Sequence, residues 1–148
     1  MSGIVRVNFI VEGQTEETFV RDLLREALGL RGIFISVRRV ETGRKHGHAH
    51  RGGMTTYFKA KRDIQRWLKE DRSAYVTTMF DCYGLPHDFP NYDAAKKLID
   101  SYQKALYPGY DKTGFGPRIA QRIGLETLRK ECRHFNEWLK KLEALPIN

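Results

Sequence analysis

Ile4-Val5-Arg6-Val7-Asn8-Phe9-Ile10-Val11-Glu12-Gly13-Gln14-Thr15-Glu16-Glu17 decides the fold. Ile4 to Val11 is a mostly apolar run of strand length, suited to a central strand covered on both faces. The run stops on a carboxylate, Glu12. Gly13 follows, a residue that permits backbone angles others resist and lets a ligand approach the main chain closely. Thr15 is placed to cap a helix. Glu16 and Glu17 then fall in its first turn, where the helix dipole favours anions. A strand running into an acid, a glycine and a helix sets carboxylates at the C-terminal edge of a sheet, where open α/β folds hold their ligands.

Working outward, Phe19, Val20, Leu23, Leu24, Ala27 and Leu28 give that helix an apolar stripe at helical spacing. Gly29 or Gly32 can end it. Ile33 to Val40 reads as a second strand, and Glu41 to Gly53 as a polar loop. Tyr57, Ala60, Ile64, Trp67 and Leu68 mark one face of a second helix, whose other face carries Lys59, Lys61, Arg62, Arg66 and Lys69. Tyr75-Val76-Thr77-Thr78-Met79-Phe80 is a third strand that again ends on an acid, Asp81, with Gly84 close behind. A loop with Pro86 and Pro90 leads to Asp93, which can cap a third helix with Ala95, Leu98, Ile99, Tyr102 and Leu106 inward. The order β-α-β-α-β-α with right-handed crossovers predicts an α/β fold with a parallel β-sheet of at least three strands flanked by helices. Past Pro108-Gly109 the pattern changes. Gly116-Pro117 is expected to open a short helix, Gly124 to interrupt it, and a last helix to run through Phe135, Trp138, Leu139 and Leu142. Residues 1–107 therefore form the α/β domain, and 108–148 a helical C-terminal tail packed on it.

Composition narrows the setting. No apolar run approaches the about 20 residues needed to span a bilayer. The N-terminus lacks the basic, apolar, small-residue order of a signal peptide. The two cysteines, Cys82 and Cys132, form no framework. The expected address is cytoplasmic, with no membrane contact. Charge says more. The stretch from Arg31 to Arg72 contains 12 of the 26 Lys/Arg and 4 of the 18 Asp/Glu, so it alone accounts for the net charge of +8. A localised basic stretch beside an acidic site fits a nucleic-acid backbone; the plainer alternative is a solvated face that keeps the chain soluble.

Two acid-tipped strand ends point to one divalent-cation site. Parallel first and third strands are often neighbours, which would bring Asp81 to Glu12, and Glu16 at the helix start can face back towards them. Mg²⁺ or Mn²⁺ takes hard oxygen ligands of this kind. Each acid also has an ordinary use: one of Glu16 and Glu17 as a dipole-favoured helix residue, and Asp81 as a turn aspartate. Glu12 is harder to dismiss, because a charge straight after an apolar strand needs a partner or solvent. Other patterns carry less. His46, His48 and His50 would share one side of an extended segment, but Arg44, Lys45 and Arg51 around them oppose a cation, so this loop suits phosphates better. Asp111-Lys112-Thr113-Gly114 lacks the strand a phosphoaspartate needs and reads as a turn. Trp67 and Trp138 sit at apolar helical spacing and belong to the core.

Val11-Glu12-Gly13-Gln14-Thr15-Glu16-Glu17, Val76-Thr77-Thr78-Met79-Phe80-Asp81-Cys82-Tyr83-Gly84-Leu85-Pro86 and Cys132-Arg133-His134-Phe135-Asn136-Glu137-Trp138-Leu139 together resemble the TOPRIM fold. More narrowly, they resemble the uncharacterised TOPRIM-related family DUF4276, on the nuclease-type branch. The resemblance implies Mg²⁺- (or Mn²⁺-) dependent phosphodiester chemistry on DNA or RNA, and an ATPase as an accompanying partner. Glu12 and Asp81 would be the catalytic acids, and Glu12, Glu16 and Asp81 the metal ligands. Arg44, Lys45, Arg51, Arg62 and Arg66 are the expected grip on the phosphate backbone. The second acid of the family's Asp-x-Asp is Tyr83 here, with Asp88 the nearest substitute. The segment expected after the third helix is also missing between Tyr107 and Pro108. Both departures keep a second reading open, a non-catalytic nucleic-acid-binding or partner-docking module with a degenerate site.

Overall fold

A computed structural model of the chain describes residues 4–45, 48–51, 56–81, 85–93 and 112–146, with side chains outside 41–45, 48–51 and 112–117. Strand β1 (Val5–Val11) is the centre of a three-stranded parallel sheet. It lies between β2 (Ile33–Arg39) and β5 (Tyr75–Met79). The register runs from Val5 opposite Ile33 to Val11 opposite Arg39 on one side, and from Val7 opposite Tyr75 to Val11 opposite Met79 on the other. The α/β sheet expected from the sequence is therefore present, and the two acid-tipped strands are neighbours.

Strand alternation gives β1 two different faces. Val5, Val7, Phe9 and Val11 join Val20, Leu24, Leu28, Leu139 and Leu142 in the larger core cluster. The first helical stretch is α1 (Gln14–Phe19), a π-helical turn (Val20–Leu24) and α2 (Arg25–Gly29). The wider turn narrows the expected stripe: Val20, Leu24 and Leu28, each four apart, are fully buried, whereas Leu23 and Ala27 are half-buried. The helix starts at Gln14, with Gly13 rather than Thr15 in the cap position.

The tail closes the same face. It comprises α4 (Lys112–Ile123), α5 (Leu125–Glu131) and α6 (Arg133–Glu143). Helix α6 drives Leu139 and Leu142 into the larger cluster. Full burial of each such leucine contributes about 1.5–3 kcal/mol. Trp138 stands edge-on to Phe9, ring centres 5.8 Å apart, and donates its indole N–H to Thr77 Oγ1 of β5 at 3.1 Å. Arg129 forks onto both oxygens of Glu143 at 2.7 and 3.0 Å, which ties α5 to α6. That pairing lifts the Arg129 pKa further above its ordinary value. Gly124, at φ 80°, separates α4 from α5 as expected. Helix α4, however, begins at Lys112, ahead of Gly116-Pro117, so the expected turn at Lys112-Thr113-Gly114 is helical. Each glycine costs about 1 kcal/mol against alanine in a helix. Helix α4 packs against α1, and Gln121 bonds Asp22 of the π-helical turn at 3.2 Å.

The other face of β1 carries Arg6, Asn8 and Ile10. Ile10 packs with Val40, Ala60 and Trp67 in a smaller cluster under α3 (Tyr57–Glu70). Trp67 is thus a core residue, as the sequence suggested. Between β2 and α3 the expected loop is instead an antiparallel hairpin of β3 (Glu41–Lys45) and β4 (His48–Arg51), with Lys45 opposite His48 and Arg44 opposite Ala49. A hairpin meets its backbone hydrogen bonds internally and needs no apolar face, so hydrophobic periodicity does not reveal it. The third expected helix becomes helical at Tyr92, one residue before Asp93, and Ala95 to Leu106 lies outside the described residues. Among the described residues no helix is long and apolar enough to cross a membrane.

Candidate functional site

Because β1 and β5 are parallel neighbours, both deliver their following residues to one edge of the sheet. The Glu12 N–H continues the ladder to Met79 O at 3.3 Å. The Glu12 side chain then reaches across the strand pair, and its Oε2 accepts the Asp81 N–H at 3.1 Å. Glu12 and Asp81, both half-buried, are therefore held at adjoining strand ends by a bond between them. A backbone amide orients a carboxylate without cancelling its charge.

Glu16 sits one step away. Its Oε2 accepts the Gly13 N–H at 3.1 Å, the glutamate half of a capping box. Gly13 is extended, at φ −145°, so the turn does not demand a glycine for its backbone angles. A Cβ at Gly13 would lie 3.3 Å from Glu16 Oε2, tight enough that the carboxylate would have to shift by a few tenths of an ångström. The Glu-Gly-x-Thr-Glu pattern thus ties the second acid to the main chain directly after the first. Glu17, the other acid of the turn, pairs with Arg39 Nε at 3.0 Å at the end of β2. The sequence left open which of the two glutamates was an ordinary helix residue; Glu16 caps the helix and Glu17 ties it to β2.

Asp88, the substitute ligand the sequence suggested, is exposed. Its Oδ1 accepts the Tyr57 N–H at 2.9 Å at the start of α3. Phe89 beside it packs against Tyr57 and Phe80, with ring centres 5.2 and 6.4 Å apart. The segment after Asp81 is thereby fastened to the first turn of α3. Tyr83 and Cys82 lie outside the described residues.

The basic residues spread around this edge. Val40 N–H bonds Val11 O at 2.9 Å, so the β3–β4 hairpin leaves the sheet beside Glu12. Arg44, Lys45 and Arg51 occupy that hairpin, and their side chains lie outside the described part. Arg62 is exposed on α3, whereas Arg66 is half-buried and pairs with the buried Asp63 at 3.1 Å. Arg38 lies over the Trp67 ring at 4.3 Å and bonds Glu70 at 3.1 Å. Arg38 thus braces α3 on the sheet, Arg66 pairs within α3, and Arg62 is exposed.

The donor set at the edge is all oxygen, which suits a hard divalent cation. Among the described residues, no group of three or more His, Cys, Asp or Glu is gathered to hold an ion. Mg²⁺ commonly uses one or two carboxylates, with waters and substrate phosphate completing its shell, and Glu12 and Asp81 are the two acids that adjoin at this edge.

The fold and this edge define a parallel α/β domain with carboxylates on adjacent strand ends. The chain belongs to the family described as Domain of unknown function (DUF4276), which it matches over residues 11–107 and 103–143. No curated protein and no solved structure is similar enough to the chain to count as a match.

Proposed function

We propose that the acidic edge is a TOPRIM-type, Mg²⁺- or Mn²⁺-dependent phosphodiester-processing site acting on nucleic acid. One observation carries this reading: the Glu12–Asp81 hydrogen bond, which joins the two acid-tipped strand ends. Glu12 and Asp81 would hold the ion, with Glu16 beside them. A bound divalent ion would supply positive charge at the phosphate and make a water in its shell more acidic. Glu12 would accept the proton of the attacking water, its carboxylate kept in place by the Asp81 N–H. The hairpin cations Arg44, Lys45 and Arg51, with Arg62 and Arg66 on α3, would hold the polyanion.

The test uses the purified chain with plasmid, single-stranded DNA and RNA, in Mg²⁺, Mn²⁺ or chelator. Metal-dependent cleavage is expected for the wild type. Glu12→Gln and Asp81→Asn should each lose about 100-fold or more, close to 3 kcal/mol of barrier. Unchanged cleavage in both variants rules the site out.

The second reading is a non-catalytic module that binds nucleic acid or docks on a partner such as an ATPase. It is favoured by the structural duties of the acids, since Glu16 caps α1 and Glu12 fastens β5. Calorimetric titration with Mn²⁺ separates the two. Saturable binding lost in Glu12→Gln supports the enzyme, whereas nucleic-acid binding indifferent to metal supports the module.

A further inference from the structure

Helix α3 begins at the acidic edge, because its Tyr57 N–H is held by Asp88 and its Tyr57 ring meets Phe89, which in turn meets Phe80 beside Asp81. Tyr57 turns inward to that aromatic contact. Ala60, three residues on, is fully buried in the smaller core cluster. Phe58 is therefore rotated outward, and it is 69% exposed. Lys61 and Arg62, three and four residues further along, sit on the same face and are also exposed. An exposed aromatic ring on the first turn, followed one turn later by two cations, has no packing role in α3. Its chemistry is that of a base-stacking platform, with a ring for a nucleobase and cations for the phosphates beside it.

We propose that Phe58 stacks on an unpaired base, so that the polyanion bound at this edge is a single-stranded nucleic acid. A duplex buries its base faces in its own stack and offers Phe58 only sugar and phosphate, whereas a single strand offers an open ring face. Lys61 and Arg62 supply the charge complement on the same helix face, within the stretch that holds all the excess positive charge. This rests on the nucleic-acid reading above, but not on metal binding or cleavage.

Binding is measured without metal at one fixed salt concentration, using dye-labelled oligo-dT, oligo-U and a blunt DNA duplex. Phe58 is a surface residue, so Phe58→Ala should fold as the wild type does. It should lose about tenfold in affinity for single strands, in line with loss of one stacked base, and nothing for the duplex. Phe58→Trp reports stacking directly. Trp67 and Trp138 are engaged in packing, so the new emission is that of the exposed indole, and saturating oligo-dT or oligo-U should quench it. Stronger quenching by one oligomer assigns the site to DNA or to RNA. Single-strand affinity unchanged in Phe58→Ala overturns the stacking proposal and leaves the polyanion reading standing. Equal losses for duplex and single strand overturn it too. Failure of the wild type to bind any of the three probes overturns both.

Discussion

The two ends of the sheet use carboxylates in opposite ways. At the end where β1 starts, Asp71 is surrounded by groups that match its charge. Arg6 pairs with it at 2.7 Å, Ser73 donates to it at 3.1 Å, and Asn8 reaches it from inside β1 at 3.4 Å. Arg6 also donates to Ser73, which closes the network. At the end where β1 and β5 stop, Glu12 and Glu16 are oriented by main-chain amides. A guanidinium offsets a negative charge, whereas an amide fixes the position of a carboxylate. Asp71 therefore ties polar residues of β1 to the loop before β5, while Glu12 ties the far ends of β1 and β5 together.

The largest effect expected from this contrast is on activity at the Glu12 end alone. Glu12→Gln keeps an oxygen that can accept the Asp81 N–H, so its stability should stay within about 0.5 kcal/mol of wild type even as metal-dependent cleavage disappears. A thermal melt run beside the cleavage assay checks this. A large fall in melting temperature would make Glu12 a structural tie like Asp71, and the contrast would fail.

Next in size is a stability effect at the Asp71 end alone. Asn8 is 4% exposed, in the middle of the central strand, and its amide is committed to Asp71. Asn8→Ala removes a buried partner and leaves a small void, at a cost of about 1–3 kcal/mol. Urea unfolding should show a lower midpoint at unchanged slope. Cleavage at the far end should be untouched, and a loss there would mean that the two ends are coupled through β1.

How far the sequence discloses this arrangement depends on what kind of force makes each part. Strands β1 and β5 are readable because an apolar run that stops on an acid is a strong pattern, and strand adjacency then brings Glu12 to Asp81. The β3–β4 hairpin is not readable, since its order comes from backbone pairing and its residues alternate polar with polar. The cap of α1 was expected at Thr15 because threonine is a good capping residue. Gly13 takes the position instead, because Glu16 reaches back to its amide and a side chain there would crowd the carboxylate. The pairs Glu17–Arg39 and Asp88–Tyr57 depend on which turn meets which strand, information that spacing along the chain does not carry.

Arg6 offers a smaller, sharper test. Its side chain is 51% exposed, so the ion pair with Asp71 works in high dielectric. Arg6→Gln should cost about 0–1 kcal/mol, and the difference from wild type should shrink in high salt. Persistence of the difference at 1 M salt would place the pair in a drier setting than its exposure implies.

The smallest effect is a pH dependence. Desolvation pushes the Asp71 pKa up, but the Ser73 and Asn8 hydrogen bonds and the Arg6 charge together outweigh it, so the carboxyl titrates below its usual 3.8. A folded-state pKa below the unfolded value means that the unfolded chain binds the proton first. The contribution of Asp71 is therefore complete above the unfolded pKa and is lost as pH falls through the folded one. Asp71→Asn removes that dependence. Its stability should be lower than wild type at neutral pH, and the gap should narrow on acidification below the usual carboxylate range. Denaturant midpoints measured from pH 7 down to the acid limb give the comparison. A gap that stays constant with pH would show that Asp71 acts through shape alone, and that the two ends of the sheet do not differ in how they treat charge.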